Sequence, residues 1–245
     1  EEFNKEQIER LNNNDDYYGE FGNQYLSNSM LYSLLNNPSS LYESETTLPL
    51  ISGGYFHTQM LEPDKLADYP IIDASSRNTK IYKEALLDLP QDMCLLLKEA
   101  EALDELCSLM KSNLSLHGLI YHPDNTFEDP MIKEIHGMMW KGKRDIGHPE
   151  FTIDIKTTSD ITKFSRSAYL YNYDSQAWLY REFWGKPVIF IVICKKTKQM
   201  GLYDCSDEFY ERGEQKVIDG IIQYNKFYGP DKYEDVNNFY FEKTL

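Results

Sequence analysis

Apolar residues recur at helical spacing through the first half of this chain and alternate with polar ones through much of the second. Residues 6–11 read as a short helix, stopped by the Asn-rich run 12–16. Ser27, Asn28 and Ser29 precede Leu31, Leu34 and Leu35, the pattern of a capped short helix that ends at Asn37 and Pro38. Residues 39–48 read as a loop. A second helix is expected over 50–66, with Phe56, Met60 and Leu61 on its apolar side. His57 lies among them, where a histidine is either a hydrogen-bonded core residue or a ligand. Gly53 and Gly54 cost roughly 1 kcal/mol each in a helix and imply backbone packed against backbone. A helix near 80–87 follows. A longer one starts from Asp92 as cap and carries Leu96, Ala100, Leu103, Leu106 and Met110 at helical spacing. The loop 122–130 closes this helical half.

Past Pro130 the pattern changes. Residues 132–140, 143–147 and 151–157 read as three strands. Residues 165–184 read as an aromatic-rich helix with Tyr169, Tyr173, Gln176, Ala177 and Tyr180 about a turn apart. The apolar run 187–194 suits a strand buried on both faces, and 201–205 continues as another strand. Ser206 caps a final amphipathic helix to about 228, ended by Gly229 and Pro230. The element order predicts an α/β fold, a central mixed sheet flanked by helices with a helical N-terminal elaboration. One domain is expected over 1–245: a mainly helical part at 1–130 that includes the His57 helix, a core at 131–230 and a tail at 231–245.

The chemistry concentrates in 141–158, KGKRDIGHPEFTIDIKTT. A turn centred on Pro149 and Glu150 sets Asp145 directly opposite Asp154, and cross-strand partners have Cβ atoms roughly 4.5–5.5 Å apart. Alternation puts Lys156 on the face of Asp154, while Phe151, Ile153 and Ile155 take the opposite, buried face. Two carboxylates so close repel unless a proton or a cation lies between them. A hard divalent ion, Mg²⁺ or Mn²⁺, suits such a pair.

Composition sharpens this picture. The formal net charge of −15 opposes a nucleic-acid partner. Its distribution does not: residues 133–198 hold 12 basic against 7 acidic side chains and form the one net-positive third of the chain. No apolar run reaches the ~18 residues that span a bilayer, and no signal peptide is visible. Cys94, Cys107, Cys194 and Cys205 form no C-x-x-C pair, which speaks against zinc or iron–sulfur ligation and for reduced thiols in a cytoplasmic protein.

A strand with Asp145, a strand with Asp154-Ile155-Lys156-Thr157-Thr158 and a helix with Gln176-Ala177-Trp178-Leu179-Tyr180 resemble the PD-(D/E)xK nuclease superfamily. Within it they are similar to the RecE-like (exonuclease VIII-like) and RecB-like branch, with its DxKTT strand and QaxxY helix. SGGYFHTQMLEP resembles the branch's histidine helix, and Leu26–Ser29 with Asn37-Pro38 resembles its N-terminal helix. The resemblance spans roughly residues 26–228. Arg144 stands where the superfamily has its nominal proline, and the cysteine cluster of the branch's iron–sulfur members is missing, so no such cluster is expected. Glu134, on the first strand, also has a counterpart in the branch but reads as structural.

The resemblance implies a metal-dependent DNA exonuclease with one or two Mg²⁺ or Mn²⁺ ions, in phage-type recombination, repair or DNA degradation in a bacterial or phage-infected cell. Asp145, Asp154, Lys156 and Gln176 would be catalytic, with His57, Asp145, Asp154 and the Ile155 carbonyl on the metal. Gln176 would brace Lys156 or touch the substrate backbone. Lys141, Lys143, Arg144, Thr157, Lys163, Arg166 and Tyr180 are the candidate substrate contacts. The resemblance also implies a ring-shaped homo-oligomer and a single-strand annealing protein as partner. Two rival readings share the core, a structure- or site-specific endonuclease and a catalytically idle DNA-binding or assembly protein.

Overall fold

The computed structural model describes residues 2–43, 46–89 and 91–241. Of the expected loop 39–48, residues 44 and 45 lie outside this range, as do residues 242–245 of the tail. The helical part runs α1 (Glu2–Arg10), α2 (Asn14–Tyr18), α3 (Asn28–Asn36), α4 (Leu48–Leu61), β1 (Ile71–Ile72), α5 (Lys80–Leu86), β2 (Leu95–Leu96), α6 (Leu97–Ser112) and α7 (Leu114–Ile120). The second part runs β3 (Thr126–Ile135), β4 (Met138–Gly147), β5 (Thr152–Thr158), α8 (Phe164–Leu170), α9 (Tyr173–Trp184), β6 (Val188–Cys194), β7 (Met200–Asp204) and α10 (Asp207–Phe227).

Strands β3 to β7 form one five-stranded sheet in sequence order, antiparallel except where β5 and β6 run parallel. The parallel pair needs a crossover, and α8 and α9 supply it. Strand β6 is buried throughout. Its Val188, Phe190 and Val192 face a core shared with α3, α9 and α10. Its Ile189, Ile191 and Ile193 face a second core shared with α4, α6 and α7. Helices therefore cover both faces of a mixed sheet, as the element order predicts.

Several local readings need correction. Residues 132–140 are not one strand: His136 (φ 49°) and Gly137 (φ 75°) make a tight turn, both in the left-handed region that two-residue hairpins use, and β3 and β4 pair from Thr126↔Gly147 to Ile135↔Met138. Pro130 therefore lies inside a strand, tolerated because β3 is the sheet's edge. Residues 165–184 break into α8 and α9 at Asn172, which takes φ 57°. Asp92 does not cap α6, which starts only after β2; there the Glu99 side chain accepts the Leu96 N–H at 3.0 Å. The run 12–16 does follow the end of α1 at Arg10, as expected of a stop, but its second half opens α2, with Asn13 Oδ1 accepting the Asp15 N–H at 2.8 Å.

The site depends on α4 and α9. Thr47 caps α4 and Pro49 occupies its first turn, a favoured place for proline. The helix stops at Leu61 rather than 66, because Glu62 leaves helical geometry and the chain continues as a 3-10 helix from Pro63 to Asp68. Tyr55, Phe56, Met60 and Leu61 seat it in the second core. The two glycines are not backbone contacts: a Cβ at Gly53 would meet open space and one at Gly54 the Tyr69 hydroxyl. Helix α9 lies close on β4, where a Cβ at Gly142 would clash with the Phe183 ring at 2.5 Å.

Candidate active site

The turn between β4 and β5 is closed by the His148 N–H donating to Phe151 O at 3.0 Å. The strands pair at Gly147↔Thr152 and Ile146↔Ile153, so Asp145 and Asp154 follow as the next opposed positions, the register expected from a turn centred on Pro149 and Glu150. The ladder stops there. Instead of a backbone carbonyl, Asp145 Oδ2 accepts the Ile155 N–H at 2.8 Å.

Asp145 also has an acid on its other side. In the β3–β4 register Phe127 pairs with Ile146 and Asp129 with Arg144, which sets Glu128 opposite Asp145. Glu128 takes φ 51°, a conformation that costs a non-glycine residue about 1–2 kcal/mol and that clusters at functional sites. One ligand atom each of His57, Glu128 and Asp145 lies within 4.8 Å of the others, and His57 Nδ1 stands 3.3 Å from Asp145 Oδ1. Sequence reasoning misses Glu128. The turn at His136-Gly137 was the signal, because counting back from it along a hairpin brings residue 128 to Asp145.

Asp154 is fully buried and does not join that cluster among the described residues. Its Oδ2 accepts Gln176 Nε2 at 2.7 Å. Its Oδ1 takes no hydrogen bond of regular geometry and faces the Lys156 ammonium at 2.5 Å. Beside the expected pair Asp145 and Asp154, the structure brings His57, Glu128 and Asp145 together as a further close group of candidate ligands. Gln176 holds Asp154 rather than Lys156. The Lys156 ammonium also lies 4.8 Å over the Tyr173 ring.

Burial and crowding set the protonation of these groups. Burial, then the neighbouring Asp145 charge, pushes the Asp154 carboxyl up to about 6 and the Glu128 carboxyl up to about 7. Burial alone would raise Asp145, but His57 and Lys156 outweigh it and hold Asp145 below the usual carboxylate range. Burial would lower His57, and the Asp145 carboxylate reverses that, leaving the imidazole raised. Lys156, against the cost of burial, is raised by Asp154 and Asp145. Three acids in one row across β3, β4 and β5 thus stand partly unneutralised, with a buried carboxylate oxygen free of hydrogen bonds. One imidazole and hard carboxylate oxygens are donors that suit Mn²⁺ and, less well, Mg²⁺. The residues fit a divalent ion.

Several expected substrate contacts have other partners. Lys141 is 4% exposed; its ammonium donates to the Tyr17 carbonyl and lies 4.5 Å over the Tyr17 ring, so it does not face a phosphate. Arg144 donates to Asp129 Oδ2 from Nε and Nη2 at 3.1 and 2.8 Å and stacks over Trp184, which commits its fork. Tyr180 is buried, and its hydroxyl donates to the Lys143 carbonyl at 2.5 Å and accepts Gln176 Nε2 at 3.2 Å. It ties α9 to β4 and is not a substrate contact. Lys143 donates to Asn14 Oδ1 at 2.9 Å. Lys163 and Arg166 are exposed and Thr157 is half-buried, all outside the cluster. Glu134 is exposed on β3, outside the cluster.

A model of the family DUF3799, a PDDEXK-like domain of unknown function, matches residues 32–230. The chain belongs to this family. Membership places the domain in the PD-(D/E)xK superfamily, as DxKTT and QAWLY imply, and the sheet with its two helical layers is the corresponding restriction-endonuclease-like core. Among solved structures, a protein named putative exonuclease from Eubacterium rectale shares the fold with a TM-score of 0.67 at 15% identity, covering 95% of each chain. A phage related exonuclease from Haemophilus somnus 129PT aligns over 63% of this chain and 88% of its own, at 14% identity and a TM-score of 0.33. No curated protein matches. No described helix of the domain is long and apolar enough to cross a membrane.

Proposed function

We propose that this domain is a divalent-metal-dependent deoxyribonuclease that digests linear DNA from its ends. The observation that carries the reading is the acidic row Glu128, Asp145 and Asp154, with His57 at one side and Lys156 at the other. His57, Glu128 and Asp145 would hold the ion, with the Ile155 carbonyl as a further donor and Asp154 beside them paired to Lys156. A bound divalent ion polarises a phosphoryl oxygen and lowers the pKa of water.

The chain's own residues supply the rest. Asp154 fixes the Lys156 ammonium at 2.5 Å, and Gln176 fixes Asp154. The ammonium orients the attacking water or meets the negative charge that develops on the phosphate as water adds and the phosphorus–oxygen ester bond breaks. Lys163 and Arg166, exposed on the segment after β5, would meet the DNA backbone in this reading, contacts that position without reading sequence.

The test is incubation of full-length protein with end-labelled linear DNA and with closed circular DNA in Mg²⁺, Mn²⁺ and EDTA. Loss of label from the linear DNA in either metal, an intact circle and no reaction in EDTA are expected. A nicked or linearised circle would replace the exonuclease with an endonuclease on the same core. Intact linear DNA under every condition would remove the nuclease reading.

A further inference from the structure

The junction between α8 and α9 exposes three consecutive large side chains, Tyr169, Leu170 and Tyr171, at 52, 51 and 63%. Contiguous exposed apolar surface marks a binding face more often than chance. The backbone beneath it is firmly held. Lys216 Nζ donates to the Tyr169 carbonyl, Asn172 Oδ1 and Asp174 Oδ1 at 2.9, 2.9 and 2.8 Å. Asn28 Nδ2 donates to the Asn172 carbonyl at 3.1 Å.

From this junction an aromatic path leads to the candidate active site. The Tyr171 ring lies 6.1 Å from the Tyr173 ring, and Tyr173 carries the Lys156 ammonium at 4.8 Å. Tyr173 is occupied on its inner side, stacked on Phe190 at 5.7 Å. Tyr171 is open to solvent. Two ring contacts therefore link an exposed tyrosine to the ammonium assigned to the phosphate.

We propose that Tyr171 is a stacking platform for an unpaired nucleobase beside the scissile phosphate, so that the domain takes a frayed or single-stranded DNA end. The inference rests on the nuclease reading and adds the form of the substrate. A base inside a duplex has both faces covered by its neighbours; only one that has left the stack offers a face to a tyrosine. Lys216, 4.4 Å over the Tyr169 ring, braces the same edge through its pairing with Asp174.

The test uses full-length wild type, Tyr171→Ala and Tyr171→Trp with an oligonucleotide carrying 2-aminopurine in a single-stranded end, in Ca²⁺. Tyr171 is exposed, so the fold should survive both changes. Wild type should quench the 2-aminopurine. Tyr171→Ala should lose the quench and weaken binding roughly 5- to 150-fold, the range of one base–aromatic stack, and Tyr171→Trp should restore both. Binding to a duplex with covalently closed ends should be the same for all three. Equal quenching and affinity for wild type and Tyr171→Ala would overturn the proposal while leaving cleavage by wild type as the separate measure of the nuclease reading. A wild type that neither binds nor cuts any DNA would remove both.

Discussion

Asp145 Oδ2 accepts the main-chain N–H of Ile155 at 2.8 Å, across the strand boundary where the β4–β5 ladder ends. A side chain thus does what a strand carbonyl would do, and the two strands part around it. The parting makes room for a charged row in the middle of a buried sheet. It also fixes Asp145 between His57 on one side and the backbone of the D-x-K strand on the other.

Asp154→Asn keeps the shape of the side chain and removes its charge. Cleavage should fall by about 10²–10³-fold or more, comparable to deleting one charge-stabilising group in other active sites. Stability should fall as well, because the buried Lys156 ammonium loses its 2.5 Å partner. Thermal melting alongside the cleavage assay separates the two effects; a variant that cuts normally would exclude Asp154 from the chemistry.

Glu128→Gln addresses the residue that only the three-dimensional register reveals. Affinity for Mn²⁺ should drop by at least the roughly 10–100-fold that loss of a supporting partner costs at metal sites. Titration calorimetry with Mn²⁺ on both proteins measures it. Unchanged affinity would limit the ion to the other donors.

Metal should stabilise the fold. Mn²⁺ at about 100 times its Kd adds about 2.7 kcal/mol, and each kcal/mol is worth roughly 2–4 °C in a domain of this size. The melting point should therefore rise by about 5–10 °C and fall back in EDTA. His57→Ala should shrink the rise, and an equal rise in that variant would remove the imidazole from the site.

Lys141 gives a pH dependence that is independent of the metal cluster. Burial, with the neighbouring Lys143 charge, lowers its ammonium to about 8, against about 10.4 in an unfolded chain. Between these values the unfolded chain binds more protons, so this group's contribution to stability rises with pH from 8 to about 10.4. Below pH 8 the penalty is fully present. Relative to Lys141→Met, wild type should gain up to roughly 3 kcal/mol from pH 7.5 to 10, read from urea denaturation. A constant difference would mean that the ammonium is not desolvated.

The hairpin at the centre of the site was legible because its two signals agree. Pro149 and Glu150 fix the turn, and the alternation of Ile153, Asp154, Ile155 and Lys156 fixes the faces, so the register follows from spacing alone, while the burial of Asp154 on the charged face does not. The β3–β4 hairpin was obscured because Ile132, Ile135, Met138 and Trp140 keep an apolar rhythm across the turn, and the residues that turn there are a single His-Gly. Glu128 disappeared with it, and its left-handed backbone has no marker in composition. Lys141 and Arg144 looked like phosphate contacts because sequence displays charge and not partners. The carbonyl that holds Lys141 belongs to Tyr17, 124 positions away. Gln176 stood in the right place, one turn from Tyr180, yet nothing local says which carboxylate it grips.

The clasp between Tyr17 and Lys141 reaches beyond the two residues. Leu26 bridges to β4 through two main-chain bonds, its N–H to Met139 O at 2.9 Å and its carbonyl from the Lys141 N–H at 2.8 Å, while Leu11, Tyr17 and Tyr25 pack on Ile132 of β3. The family match begins only at residue 32. A protein shortened to that boundary would keep every acid of the site and lose the splint that aligns the strand bearing Asp145, leaving the Lys141 ammonium without its carbonyl and ring. Residues 11–26 are scaffolding that the family signature does not see.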